Sequence, residues 1–241
     1  MEKLDHGSTK DIYYFPIEKY KHQMKDLQEE INKHPGEMSN YISLIKLAIL
    51  VEDFNKAEHF ANKALKINAD NQDMINLLGV SQYRQHKGDK AIETFQTLIS
   101  LVPENIKARI NMGLTLMVVK NDPRQAIEQF KAALKIENNN QTALVALGQA
   151  YLKNNEIDKA LEVFTEAFNY DDKDIKAING MADAYFAKKD FDSSIDYYER
   201  ALVVDSRCAF SLYGLYHCYE STGKANKQKE IIDRARAIDT F

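Results

Sequence analysis

Apolar residues along this chain fall on single stripes at helical spacing, and polar residues fill the opposite faces. In Ala143–Leu152 the residues Leu144, Leu147, Tyr151 and Leu152 share one face, and in Ala160–Phe168 the residues Leu161, Phe164, Ala167 and Phe168 share another. Upstream, Ile17, Tyr20, Met24, Leu27 and Ile31 form one stripe on an otherwise charged segment, which predicts a helix over roughly Ile17–Lys33. No run of β-branched residues is bounded by turn pairs, so no strand is expected. The chain reads as all-α.

The stripes recur with a fixed period. Ala57, Ala91, Ala126, Ala160 and Ser194 lie 34, 35, 34 and 34 residues apart. Four residues after each comes Ala61, Phe95, Phe130, Phe164 or Tyr198, and three further on Ala64, Leu98, Ala133, Ala167 or Ala201. Twelve or thirteen residues before the last four anchors sit Gly79, Gly113, Gly148 and Ala182. A period of this length marks a solenoid built from one repeated supersecondary unit. Each unit reads as two helices, with the glycine of the first expected opposite the small anchor of the second and the larger ring filling the gap beside them. Asp122-Pro123 supplies an N-cap followed by a first-turn proline, so the extra residue of the 35-residue copy is expected in the turn at Lys120–Asp122.

Leu147-Gly148-x2-Tyr151 with Ala160-x3-Phe164-x2-Ala167 resembles the tetratricopeptide repeat family. So do Leu78-Gly79 with Ala91-x3-Phe95 and Pro103, Met112-Gly113 with Ala126-x3-Phe130-x2-Ala133-Leu134, and the fifth copy with Tyr185, Ser194, Tyr198 and Ala201-Leu202. The first copy departs most, with Ile45 where the glycine belongs and Ala61 where the ring belongs, a swap that moves bulk from one helix to the other. The resemblance implies a right-handed α-solenoid of helix-turn-helix hairpins with N- and C-terminal capping helices. The expected divisions are a polar tail at 1–15, a capping helix at 16–37 and hairpins at 38–71, 72–105, 106–140, 141–174, 175–208 and 209–241. Gln228 in place of the anchor alanine and Arg236 in place of a leucine suit a last helix that meets water.

Charge and chemistry narrow the function. The net charge of −4, with 32 basic and 36 acidic residues intermixed, disfavours nucleic-acid binding. No apolar run approaches a membrane span of about 18–20 residues, and Met1–His6 lacks the apolar core of a signal peptide. Cys208 and Cys218 stand roughly 15 Å apart along one helix, too far for a disulfide, and read as small thiols of a reducing cytoplasm. His217 beside Cys218 points about 100° away and forms no dyad with it. The histidines have no metal spacing, and no nucleophile motif or phosphate loop is present, so neither an enzyme nor a cofactor is expected.

The resemblance places binding on the first helix of each hairpin, which in this family lines a concave groove. Phasing those helices gives Ser43 and Lys46; Asn76, Val80, Tyr83 and Arg84; Lys107, Asn111, Leu114 and Met117; Gln149, Leu152 and Lys153; Lys176, Asn179, Asp183 and Phe186; and Phe210, Tyr213 and His217. Asn76, Asn111, Gln149 and Asn179 offer side-chain amides suited to a peptide backbone, and Lys107, Lys176 and Arg84 offer positive charge. The set suits an acidic, partly apolar peptide or helix of a partner protein. The plainer alternative is that these are solvated helix positions, and that Leu114, Met117 and Leu152 pack between repeats. Family members that grip an acidic chaperone tail carry a lysine–asparagine carboxylate clamp. Ile42 with Lys46, and Asn76 with Val80, leave that clamp incomplete here. The expected function is a non-catalytic adaptor. The alternative is a scaffold that self-associates, with Asp11–Phe15 either docking in a groove or stapling the first helix.

Overall fold

The structure, a computed structural model, describes residues 10–239, and side chains for residues 17–238. Among the described residues there are thirteen α-helices and no strand. A long first helix, α1 (Lys10–Lys33), precedes six pairs. These are α2 (Met38–Leu50) with α3 (Phe54–Leu65), α4 (Gln72–Arg84) with α5 (Gly88–Leu101), and α6 (Ile106–Val118) with α7 (Pro123–Ile136). They continue as α8 (Gln141–Lys153) with α9 (Ile157–Tyr170), α10 (Ile175–Ala187) with α11 (Phe191–Val204), and α12 (Ala209–Ser221) with α13 (Ala225–Asp239). The architecture is an all-α helical solenoid. It divides into two compact units, Met1–Asn111 and Met112–Phe241, and the division falls within α6 rather than in a linker.

The first helix begins at Lys10, inside the segment read from the sequence as a tail. Pro16 removes one N–H donor and does not stop the preceding turn from being helical. The side chains of Asp11–Phe15 lie outside the described residues, as do residues 1–9, so the docking expectation for that segment falls there too.

Local sequence sets the helix boundaries. Asp53, Asn71, Asp122, Asn140, Asp174 and Asp190 each occupy an N-cap and accept a backbone N–H from the first turn. Between the helices of each pair the chain turns through a left-handed residue at the same place: Glu52 (φ 61°), His86 (58°), Asn121 (55°), Asn155 (62°), Lys189 (64°) and Gly223 (67°). The residue after it closes the turn, as Lys87 N–H donates to Gln82 O at 2.9 Å and Glu156 N–H to Tyr151 O at 2.9 Å. In the 35-residue copy the closing bond runs from Asp122 N–H to Leu116 O at 2.8 Å, one residue wider. The extra residue therefore sits in that turn.

Packing within a pair differs in one respect from the expected match of small residue to small residue. A Cβ added at Gly79, Gly113 or Gly148 would lie 2.5 Å from the ring of Phe95, Phe130 or Phe164 respectively. The glycine thus makes room for the ring one turn beyond the anchor, because the ring, not the alanine, reaches across to the first helix. Phe164 is enclosed twice, since a Cβ at Gly180 on α10 would come within 2.3 Å of it. In the fifth copy Ala182 replaces the glycine, and the Ser194 hydroxyl donates to its carbonyl at 2.9 Å. In the first copy Ile45 and Ala61 are both fully buried in one cluster with Tyr41, Leu44 and Phe60.

In the first unit, α1 contributes buried Met24 and Ile31 to that cluster. In the second, Ile231 of α13 joins Leu212, Leu215 and Tyr219 of α12, while Arg236 faces water. A polar link ties α3 to the turn after α4: Glu58 accepts from Lys87 Nζ at 2.6 Å and from Gln85 Nε2 at 2.8 Å. Burial pushes the Glu58 carboxyl up, but the two hydrogen bonds and the lysine charge outweigh it and hold it below its ordinary value. A depressed carboxyl stabilises the fold above its unfolded pKa and loses that contribution as pH falls through the folded one. Glu58→Gln is expected to cost about 1 kcal/mol at pH 7 and almost nothing at pH 3. Urea titrations at the two pH values check it, and an equal cost at both would contradict the charged role.

Candidate functional site

Within each unit the first helices of the pairs carry recesses open to solvent. In the first unit a cavity of about 520 Å³ is lined by Ile42, Lys46, Gln72, Asp73, Asn76, Leu77, Asn105, Ile106 and Lys107. It gathers three residues selected from sequence, Lys46, Asn76 and Lys107, from α2, α4 and α6. Both lysines are exposed, and neither forms an ion pair among the described residues. Asn76 is half-buried, and its Oδ1 accepts from Asn111 Nδ2 at 2.9 Å.

In the second unit, one cavity of about 350 Å³ is lined by Leu114, Gln141, Thr142, Val145, Ala146, Gln149, Asp174 and Lys176. It brings together Leu114, Gln149 and Lys176 from the sequence selection. A further pocket of about 280 Å³ is lined by Asp183, Phe186, Tyr198, Phe210, Tyr213, Gly214 and His217. Sequence reasoning missed Tyr198 and Gly214 there. The missed signal is their pairing: a Cβ at Gly214 would lie 2.1 Å from the Tyr198 ring, so the glycine lets that ring reach the first-helix face. The Tyr198 hydroxyl donates to Asp183 Oδ1. Burial raises the Asp183 carboxyl above its ordinary value, opposed by the tyrosine bond, and burial together with the aspartate charge raises the Tyr198 phenol.

Several selected residues have other work. Asn179 was expected to be exposed and is only 6% exposed: its Oδ1 accepts from Ser211 Oγ at 2.8 Å, and Nδ2 lies 3.7 Å from Cys208 Sγ. Met117 is buried, in keeping with the alternative that it packs between repeats. Lys153 donates from Nζ to Met117 O at 2.8 Å at the end of α6. The Arg84 guanidinium lies 5.1 Å from the centre of the Phe54 ring and 3.7 Å from Glu52. Val80 and Tyr83 are half-buried on α4 and do not line the cavity of their unit. Asn76 and Asn111 spend an amide on each other, so the row of four free amides does not exist.

Among the described residues no group of three or more His, Cys, Asp or Glu could hold a metal ion. His217 Nδ1 is 3.0 Å from Glu220 Oε2, and Cys218 is buried against Ser194 Oγ at 3.2 Å, so the two neighbours do not meet. Cys208 and Cys218 are both free thiols. Among the described residues no helix is long and apolar enough to cross a membrane.

Comparison with known proteins agrees with this geometry. Residues 120–182 and 175–207 match two family models, each described as a tetratricopeptide repeat. The human protein O-mannosyl-transferase TMTC3 is 29% identical over 135 residues, 56% of this chain and 15% of that protein. The chain spans between 15% and 40% of the length of the curated relatives it matches. Among solved structures, PilW, a type IV pilus biogenesis factor, superposes with a TM-score of 0.74 at 18% identity, over 83% of this chain and 93% of its own. YrrB, a protein of the same repeat with an unusual peptide-binding site, gives 0.56 at 18% identity, over 78% and 96%. At these identities the structures share the fold. The family models describe a repeat and indicate no enzymatic family.

Proposed function

The chain is a tetratricopeptide repeat protein, and from that premise we propose that it is a non-catalytic adaptor that binds a segment of a partner protein on its first-helix faces. Repeat proteins of this kind work as protein-interaction modules. The finer reading is that the first unit takes an acidic, extended segment. One observation carries it: Lys46 and Lys107, from different helices, border the same cavity of about 520 Å³ with no carboxylate paired to either. Asp73 and the amides of Gln72, Asn76 and Asn105 supply the hydrogen-bonding edge. The peptide-binding site of YrrB supports the reading by analogy of fold. The two free thiols, one of them buried, suit a reducing compartment, and we place the protein in the cytoplasm on that ground.

The test is charge reversal. Lys46→Glu with Lys107→Glu is expected to weaken binding of a labelled acidic peptide about tenfold at low salt, and much less at 0.5 M salt, because exposed charges are screened. Calorimetry at two ionic strengths reads both effects. Unchanged affinity would move the site elsewhere.

Self-assembly is the second reading, and one feature favours it. An open apolar trough of about 300 Å³ runs beside Leu212, Tyr216, Ile231, Ile232, Ala235 and Ile238. Light scattering over a concentration series separates the readings: an adaptor keeps one mass, and a scaffold grows.

A further inference from the structure

The pocket between α10 and α12 in the second unit combines two features that ordinary surface positions avoid. The first is open aromatic surface: Phe210 is 54% exposed and Tyr213 67%, although both are large rings on a short helix. The second is a carboxylate set among those rings. Asp183 stands in the same pocket, half-buried, with Phe186 and Tyr198 alongside. One of its oxygens takes the Tyr198 hydroxyl, and no lysine or arginine among the described residues pairs with it. A carboxylate taken partly out of water without a cation is costly, and the cost is recovered when a cation arrives.

The remaining lining group points the same way. The His217 ring meets Tyr213 edge-on, with centroids 4.3 Å apart, and its Nδ1 is 3.0 Å from Glu220. The ring thus adds a further aromatic surface to the pocket. The pocket therefore offers the Asp183 carboxylate, no basic side chain other than His217, and aromatic rings, a class of surface that attracts positive charge through its quadrupole. An acidic ligand is repelled by the carboxylate, and a neutral one gains only from the rings. A flat guanidinium gains from both, because it stacks on rings and donates to the carboxylate. A volume of about 280 Å³ suits one long side chain whose methylenes lie against the rings.

We infer that this pocket is a subsite for an arginine side chain of a bound partner segment, held by Asp183 and the rings of Phe186, Phe210 and Tyr213. The inference rests on the reading of the first-helix faces as the binding surface and adds a basic requirement there, distinct from the acidic preference of the first unit.

The experiment titrates N-acetyl-arginine amide into the full chain labelled with ¹⁵N, with the citrulline and norleucine analogues as matched neutral probes. Saturable shifts at the Phe210, Tyr213 and Gly214 amides are expected for arginine, with affinity roughly tenfold above that for citrulline. Asp183→Asn keeps an oxygen for the Tyr198 hydroxyl and removes only the charge, and it is expected to erase the preference for arginine. Phe210→Ala, at an exposed ring, is expected to weaken arginine binding several-fold with an unchanged melting curve. Equal binding of citrulline or norleucine would overturn the inference in favour of a plain apolar pocket, and no saturation by any probe would overturn it outright. In either case, acidic-peptide binding that still depends on Lys46 and Lys107 leaves the adaptor reading standing. Loss of both would remove the two together.

Discussion

Gly180→Ala is expected to lower stability by about 2–3 kcal/mol, although the same change inside a helix ordinarily gains about 1 kcal/mol. The sign is decided by Phe164. A Cβ at position 180 would lie 2.3, 2.5 and 2.6 Å from three atoms of that ring, and the ring is fully buried. Nor has the ring anywhere to go, because Gly148 receives it at 2.5 Å on the other side. Phe164→Leu should be destabilising alone and should rescue part of the Gly180→Ala loss, giving a favourable coupling in a double-mutant cycle. Urea unfolding followed by circular dichroism measures all four proteins. A neutral or stabilising Gly180→Ala would mean the ring is not clamped.

Ile231→Asp is the second large effect, with an expected cost of about 4 kcal/mol for a buried apolar side chain exchanged for a charge. Ile231 is 4% exposed and is the residue of α13 fully committed to the cluster with Leu212, Leu215 and Tyr219. In a repeat array each pair depends mainly on its neighbours, so the loss should begin locally. Amides of α12 and α13 are expected to lose hydrogen-exchange protection first, while those of α8 keep theirs. The bared residues should also promote association visible by light scattering. Deleting residues 225–241 should reproduce both signs. Protection in α12 equal to that of the parent would show that α13 contributes nothing to holding it.

Small and large residues recurring every 34 or 35 positions made the helices and their pairing legible from the chain alone. Such a spacing survives only if the packing repeats. The site was less legible, and the amides show why. Asn76 and Asn179 stand three residues before the small-residue position of their helices, Asn111 two before, and Gln149 one after. The four do not share one position, and neighbouring positions on a helix point about 100° apart. Asn179 turns to Ser211 and Asn76 to Asn111, while Gln149 alone of the four is exposed. Polarity marks a residue that needs partners, and the next helix supplies them as well as a ligand does. Lys46, Lys107 and Lys176 were easier to place, since long charged side chains are rarely buried unless paired. The pocket at Asp183 was half visible: its first-helix members lay in phase, but Tyr198 arrives from the second helix of its pair.

The left-handed turns at Glu52, His86, Asn121, Asn155, Lys189 and Gly223 carry a consequence for how such a chain grows. Six joints of nearly one geometry are built with five different residue types, all exposed. The closing bond at each is backbone to backbone, so the joint asks little of any one side chain. A helical pair copied along a gene brings its own hinge with it, correctly bent, whatever residue later drifts into the corner. Lengthening by duplication then requires new agreement only between the faces of adjacent pairs. The corners are free to diverge at once, and the faces become free to take on separate ligands.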